Sequence, residues 1–185
     1  FPLATISIFA GNLNNIMCGI VGVFNYKNYE YPVDKFLINK MCTLISHRGP
    51  DDSGIYVDGS IGMGMQRLSI IDLVGGHQPI SNEDGSIKLV FNGEIYNYRE
   101  IRKELIKCGH RFNSVSDSEV IVHGYEEWGI QVLKRLRGMF AFSIWDSASK
   151  ALIIARDHTG IKPLYYWDNG EKLVWGSEIK SILID

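Results

Sequence analysis

Met139-Phe140-Ala141-Phe142-Ser143-Ile144-Trp145-Asp146, then ALIIARD (151–157), PLYYW (163–167) and LVWGS (173–177), follow one another with only short polar turns between them. Short apolar and aromatic runs bounded by turn residues read as β-strands. Working back toward the start, the helical patterns sit in the middle of the chain. Glu100 to Lys107 carries Ile101 and Leu105 before a Gly109 stop, and Ile121, Tyr125 and Trp128 lie at helical spacing behind Asp117 and Ser118. Ile130 to Leu136 reads as a further short helix that Gly138 ends. Ahead of these come Lys88 to Asn92, Ile55 to Val57 and Ile61 to Ile71 as strands, a helix from Val33 to Ser46, and a first strand GIVGVFN (19–25). Strands at both ends with helices grouped between them predict an α+β fold with large antiparallel sheets, not an alternating βαβ chain.

Composition agrees with one globular domain. The chain has 185 residues, 45% hydrophobic and 22% charged. Nineteen Lys and Arg against 21 Asp and Glu leave a net charge of -2, which gives no electrostatic reason to expect nucleic acid or an anionic membrane as partner. Cys18, Cys42 and Cys108 are too far apart for a CxxC pair, and their odd number suits a reducing compartment. The five histidines show no HxxxH or HxH spacing, so no metal site is expected. Residues 1–16, FPLATISIFAGNLNNI, carry no Lys or Arg and read as a leader outside the domain. The alternation in ATISIF equally suits an edge strand.

Several short stretches carry chemistry. In Met17-Cys18-Gly19-Ile20, removal of Met17 would make Cys18 N-terminal. Its free amine, pKa ~8, could then act as base for its own thiol; otherwise Cys18 is a small buried hydrophobe. His47-Arg48-Gly49-Pro50-Asp51 is either an ordinary turn, with Arg48 and Asp51 paired, or a structured loop beside a site. Arg67 lies in a strand-like region, where its guanidinium either pairs structurally or clamps a ligand carboxylate. Asn92-Gly93-Glu94 reads as a hairpin turn or as an oxyanion hole, with the Asn92 amide and the Gly93 N–H as donors. Asp117 is either a helix N-cap or the partner of a substrate ammonium. Arg156-Asp157 and GIKPLY (160–165) read as scaffold, and no phosphate-binding glycine loop is present.

MCGI (17–20), HRGPDDSG (47–54), QRLSIID (66–72), FNGEIYN (91–97), SDSEV (116–120), GMFAF (138–142), ARDHTGIKPLYY (155–166) and SEIK (177–180) occur in this order. As a set they resemble the glutaminase domain of glutamine-hydrolysing asparagine synthetases, members of the N-terminal-nucleophile (class II) glutamine amidotransferases. The resemblance runs from residue 17 to 185. Pro50 and RLSIID favour the asparagine-synthetase branch over the phosphoribosyl and hexosamine amidotransferases. It implies a four-layer αββα sandwich, two antiparallel sheets between helical layers. It also implies hydrolysis of L-glutamine to glutamate and ammonia, with Cys18 as nucleophile and Asn92 and Gly93 stabilising the oxyanion. Arg67 would clamp the substrate α-carboxylate and Asp117 receive its α-ammonium. Leu68, Ser69, Ile70, Ile71 and Glu94 would complete the pocket.

The resemblance further implies a cytoplasmic protein with no cofactor or metal in this domain. ATP and Mg belong to an ATP-dependent synthetase domain outside these residues, acting in cis or in trans, with homodimers in the full-length enzyme. The family's nucleophile is N-terminal, whereas here residues precede Met17. Two alternatives stay open. One is a non-catalytic glutamine-binding or interaction module with a blocked N-terminus; the other is an amidotransferase domain for a non-aspartate acceptor.

Overall fold

The computed structural model describes residues 17–68 and 77–184. The expectations for residues 1–16, and for Ser69, Ile70 and Ile71, lie outside the described residues. β1 (Gly19–Phe24) alternates strictly: Ile20 and Phe24 face one way, Val21 and Val23 the other, and all six residues are buried. Only a strand covered on both faces needs that pattern. β1 is the centre of a five-stranded antiparallel sheet in the order β2 (Asp52–Asp58), β3 (Ile61–Arg67), β1, β9 (Leu173–Gly176), β8 (Tyr165–Asp168). A second antiparallel sheet runs β4 (Ile80–Ser81), β5 (Ile87–Ile95), β6 (Gly138–Asp146), β7 (Ala151–Arg156).

Three apolar layers hold four structural layers together. Ile20, Met63 and Met65 of the first sheet meet Val90, Ala141 and Trp145 of the second, with Trp175 at the centre. The Trp175 indole N–H donates to Ser143 Oγ at 3.2 Å, so the one polar group of that ring is satisfied across the gap. On the outer face of the first sheet lie α1 (Lys35–Leu44) and α5 (Ile179–Ile182), with Ile38, Met41, Cys42 and Ile45 on Val21, Val23 and Val174. Gly62 and Gly64 of β3 lie directly under α1. A Cβ at either would strike Ile38, and at Gly64 also the Cys42 sulfur. α2 (Tyr98–Lys107), α3 (Glu119–Trp128) and α4 (Val132–Arg135) cover the second sheet through Ile101, Leu105, Val120 and Ile121. This is the four-layer αββα sandwich expected.

The elements differ from expectation in places that prove informative. Gly129, with a positive φ of 57°, ends α3, and the segment after it runs as a 3-10 turn (Gly129–Gln131) into the short α4. HRGPDDS is a 3-10 turn (Ser46–Arg48) running into β2. β5 does not end at Asn92-Gly93. It continues to Ile95, so the hairpin reading of that dipeptide is wrong. Among the described residues no helix is long and apolar enough to cross a membrane.

Candidate active site

A cavity of about 120 Å³ opens between the two sheets at the start of β1, and Met17, Cys18, Arg67, Leu68, Asn92 and Asp117 are among its lining residues. Cys18 precedes β1, and three contacts place it. Its sulfur receives the Leu68 N–H at 3.3 Å and donates to Leu68 O at 3.6 Å. Its carbonyl accepts from Arg48 Nε at 3.1 Å. One residue into β1, Ile20 and Ser177 bond reciprocally, Ile20 N–H to Ser177 Oγ at 2.9 Å and Ser177 N–H to Ile20 O at 2.8 Å. Arg48 turns to Glu178 at 3.1 Å, and His47 meets the same carboxylate at 2.8 Å. The HRGPD loop and SEIK are thus one device behind the cysteine. Gly49 belongs to it, since a Cβ there would collide with the backbone of Gln66 and Arg67.

β5 runs through Asn92-Gly93 because it pairs with β6 along its whole length, while its other edge is only partly covered. β4 is only two residues long, so it leaves the rest of that edge uncovered. Gln78 fills the first gap, accepting the Phe91 N–H at 2.7 Å and donating to Phe91 O at 3.2 Å. Asp117 fills the last, accepting the Ile95 N–H at 2.7 Å. N–H groups two apart in a strand point the same way. The Gly93 N–H therefore faces the cavity between these two caps. The backbone of β6 fills the space behind Gly93, where a Cβ would collide with Met139 O and Phe140 Cα. Asn92 is 1% exposed, and its Nδ2 meets no acceptor among the described residues. A buried amide donor without a partner is costly unless a ligand supplies the acceptor.

Asp117 does not cap α3. Ser118 holds the N-cap position without a side-chain bond, and the Asp117 carboxylate faces the cavity and β5. Burial, with the Glu94 charge added, raises its pKa above the ordinary carboxylate value against the pull of the Ile95 N–H. Arg67 is 7% exposed at the end of β3 and lines the same cavity. Burial also raises the Cys18 thiol pKa, opposed by the Leu68 N–H and by the Arg67 and Lys162 charges.

Cys18, Arg67, Leu68, Asn92, Gly93, Glu94 and Asp117 all line this cavity. Lys162, read from sequence as scaffold, lines it too, and its ammonium donates to Met17 Sδ at 3.2 Å. Asp157 delivers it there by accepting the backbone N–H groups of Thr159, Ile161 and Lys162 at 3.0–3.1 Å. Burial lowers the Lys162 pKa. Gln78 was not singled out, and Ser177 and Glu178 stood only within longer runs such as SEIK, without a role. Their work is done through contacts made across the fold, and no local pattern announces it.

Two facing antiparallel sheets between helical layers, with a cysteine at the first strand opening onto a polar cavity, define an N-terminal-nucleophile amidotransferase architecture. The family model of the glutamine amidotransferase domain matches residues 17–185. The chain belongs to that family. Asparagine synthetase (glutamine-hydrolysing) 1 of Bacillus subtilis (strain 168) is 46% identical over 169 residues, covering 91% of this chain and 27% of the relative. Asparagine synthetase B (glutamine-hydrolysing) of Escherichia coli (strain K12) is 41% identical over 168 residues, covering 90% and 30%. The chain thus spans under a third of either relative. The solved structure of glutamine phosphoribosylpyrophosphate amidotransferase from B. subtilis, complexed with ADP and GMP, superposes with a TM-score of 0.72. It covers 89% of this chain and 42% of that one at 22% identity, a likeness of fold alone.

Proposed function

We propose that this domain hydrolyses L-glutamine to glutamate and ammonia when Cys18 is the N-terminal residue. The observation that carries the reading is the convergence on one cavity of the Cys18 thiol, the unpartnered Asn92 amide, the Arg67 guanidinium and the Asp117 carboxylate. The α-amine of Cys18 takes the thiol proton, and the sulfur attacks the substrate carboxamide carbon. The C=O electrons move onto oxygen, where Asn92 Nδ2 and the Gly93 N–H receive the charge. The ammonium returns its proton to the leaving nitrogen, ammonia departs, and a γ-glutamyl thioester remains. Water, deprotonated by the same amine, then releases glutamate and regenerates the thiol. Arg67 and Asp117 hold the α-carboxylate and α-ammonium, and Leu68 and Glu94 border the substrate.

The ammonia goes to an ATP-dependent synthetase domain, in cis or in trans, that forms asparagine. The names of the relatives and their greater length support this. In that arrangement ATP and Mg bind the synthetase domain and none is held here; the full-length enzyme is a cytoplasmic homodimer.

A second reading applies to any form that keeps residues ahead of Cys18. Its nitrogen is then an amide and cannot serve as base, and the Met17 side chain lines the cavity with its sulfur on the Lys162 ammonium. Such a form is a non-catalytic binding module. Protein prepared with Cys18 as the first residue should release glutamate, and an electrophilic glutamine analogue should add one adduct to Cys18 by intact mass. Protein retaining Met17 should do neither. A Cys18-first preparation that is folded yet shows neither release nor adduct would sink the proposal.

A further inference from the structure

On the opposite side of the second sheet, four side chains from three segments turn toward a common point. Glu83 comes from the β4–β5 turn, His110 from the α2–α3 connection, and His123 and Glu126 from α3. One ligand atom of each lies within 4.8 Å of the others. His123 is 1% exposed. Its Nδ1 makes no hydrogen bond among the described residues and stands 3.4 Å from Glu83 Oε2 and 3.8 Å from Glu126 Oε2. His110 Nδ1 lies 3.6 Å from the same Glu126 oxygen. Two ligands ~2.0–2.1 Å from a tetrahedral zinc are ~3.3–3.4 Å apart. Three of the separations, 3.4–3.8 Å, lie at or a few tenths of an ångström above that edge and are longer than good hydrogen bonds.

The other half of every ligand is already tied down. Glu83 Oε1 accepts the Arg111 N–H at 2.9 Å, leaving Oε2 for the common point. Glu126 Oε1 accepts from Asn82 Nδ2 at 3.3 Å. His110 Nε2 meets Glu127 at 3.0 Å, and His123 Nε2 meets Glu119 at 3.5 Å. A carboxylate on the far nitrogen of each ring selects the tautomer whose Nδ1 carries a lone pair toward the centre. Glu119 is itself fixed by the N–H groups of Asn113 and Ser114.

We propose that Glu83, His110, His123 and Glu126 form a structural site for one divalent transition-metal ion of the zinc class. Imidazole ligands favour such an ion over magnesium or calcium, and four protein ligands leave no open position for catalysis. The ion fastens α3 to the β4–β5 turn, six residues along the helix from Asp117. Histidine spacing gave no hint of it, because the ligands come from separate segments. The inference is independent of the glutaminase reading.

The test uses the full chain, stripped with a chelator and titrated with Co²⁺ and then Zn²⁺. We expect one Co²⁺ per chain with the visible absorption of a tetrahedral N/O site and no thiolate charge-transfer band. Zn²⁺ should displace it, and saturating Zn²⁺ should raise Tm by several degrees. Glu126→Gln and Glu83→Gln, both at partly exposed side chains, should keep the wild-type circular dichroism and weaken binding at least tenfold. His110→Gln should do the same. Absence of the absorption and of the Tm shift overturns the proposal. So does a thiolate band, or binding unchanged in folded Glu126→Gln and His110→Gln proteins.

Discussion

At the scale of single residues, the site gathers a thiol, an amide, a guanidinium and a carboxylate on one cavity. Among the described residues the buried Asn92 amide meets no acceptor, which suits its donor to a developing oxyanion. In Cys18-first protein, Asn92→Ala should lower kcat by ~10²–10³, about 3–4 kcal/mol, with KM nearly unchanged. A larger effect on KM than on kcat would make Asn92 a ground-state binder instead. Lys162 acts on the thiol through charge. Its ammonium is one of the groups opposing the rise that burial imposes on Cys18. Lys162→Met removes that positive charge, so the thiol pKa should rise further and alkylation of Cys18 at pH 7–8 should slow. The rate–pH curve, recorded for both proteins, should move to higher pH in the variant; a curve that stays put shows that Lys162 serves packing alone. Cys18, Arg67, Asn92 and Asp117 were legible in the sequence through the ordered motifs that carry them, since each taken alone has an ordinary structural reading. Lys162 was not, since a lysine in a charged turn is ordinarily solvated.

At the scale of elements, local signals were strong where an apolar period was unopposed. α1 begins after Asp34, whose Oδ1 accepts the Phe36 N–H at 2.8 Å, and its buried face follows the helical spacing. β1, β6 and β9 read directly from their apolar runs. Asn92-Gly93 misled because Asn-Gly is the commonest two-residue hairpin connection. Tertiary pairing overrode it, since nine consecutive residues of β5 bond to β6. Gly93 is needed there for closeness to β6 and not for a turn. Gly93→Ala should therefore push β5 from β6 and cost about 1–3 kcal/mol, read as a lower denaturant midpoint, besides impairing activity. An unchanged midpoint would mean that β6 yields freely at Phe140. Asp117 misled for the parallel reason: its place before a helix suits a cap, but the uncovered edge of β5 claims the carboxylate.

At the scale of the whole molecule, the two sheets meet through apolar side chains, while buried carboxylates fasten the connections. Asp157 is held well below the ordinary carboxylate range by the N–H groups of Ile161 and Lys162 and by Thr159, which together outweigh its burial. Glu119 is pushed down to about 2: burial alone would raise it, but His123, Ser114 and Asn113 prevail. Each folded value lies below the ~3.9–4.3 of an unfolded carboxylate, so the native state binds these protons more weakly. Their contribution is present above pH ~4.3 and is lost as pH falls toward about 2. Tm should fall steeply across that window, and Glu119→Gln should flatten its lower part; equal slopes in both proteins would contradict the assignment. The order and kind of the elements, the α+β class and the identity of the family were determined by the sequence itself. Apolar periodicity and a fixed series of short motifs are local properties, present in the chain before it folds. Tertiary structure alone decided which edge of β5 stays open, that Asp157 carries Lys162 to Cys18, that Ser177 and Glu178 brace the nucleophile, and that four ligands from three segments converge behind α3. Most of those contacts join segments tens to more than a hundred positions apart, and their meeting depends on how layers stack rather than on what neighbours what along the chain.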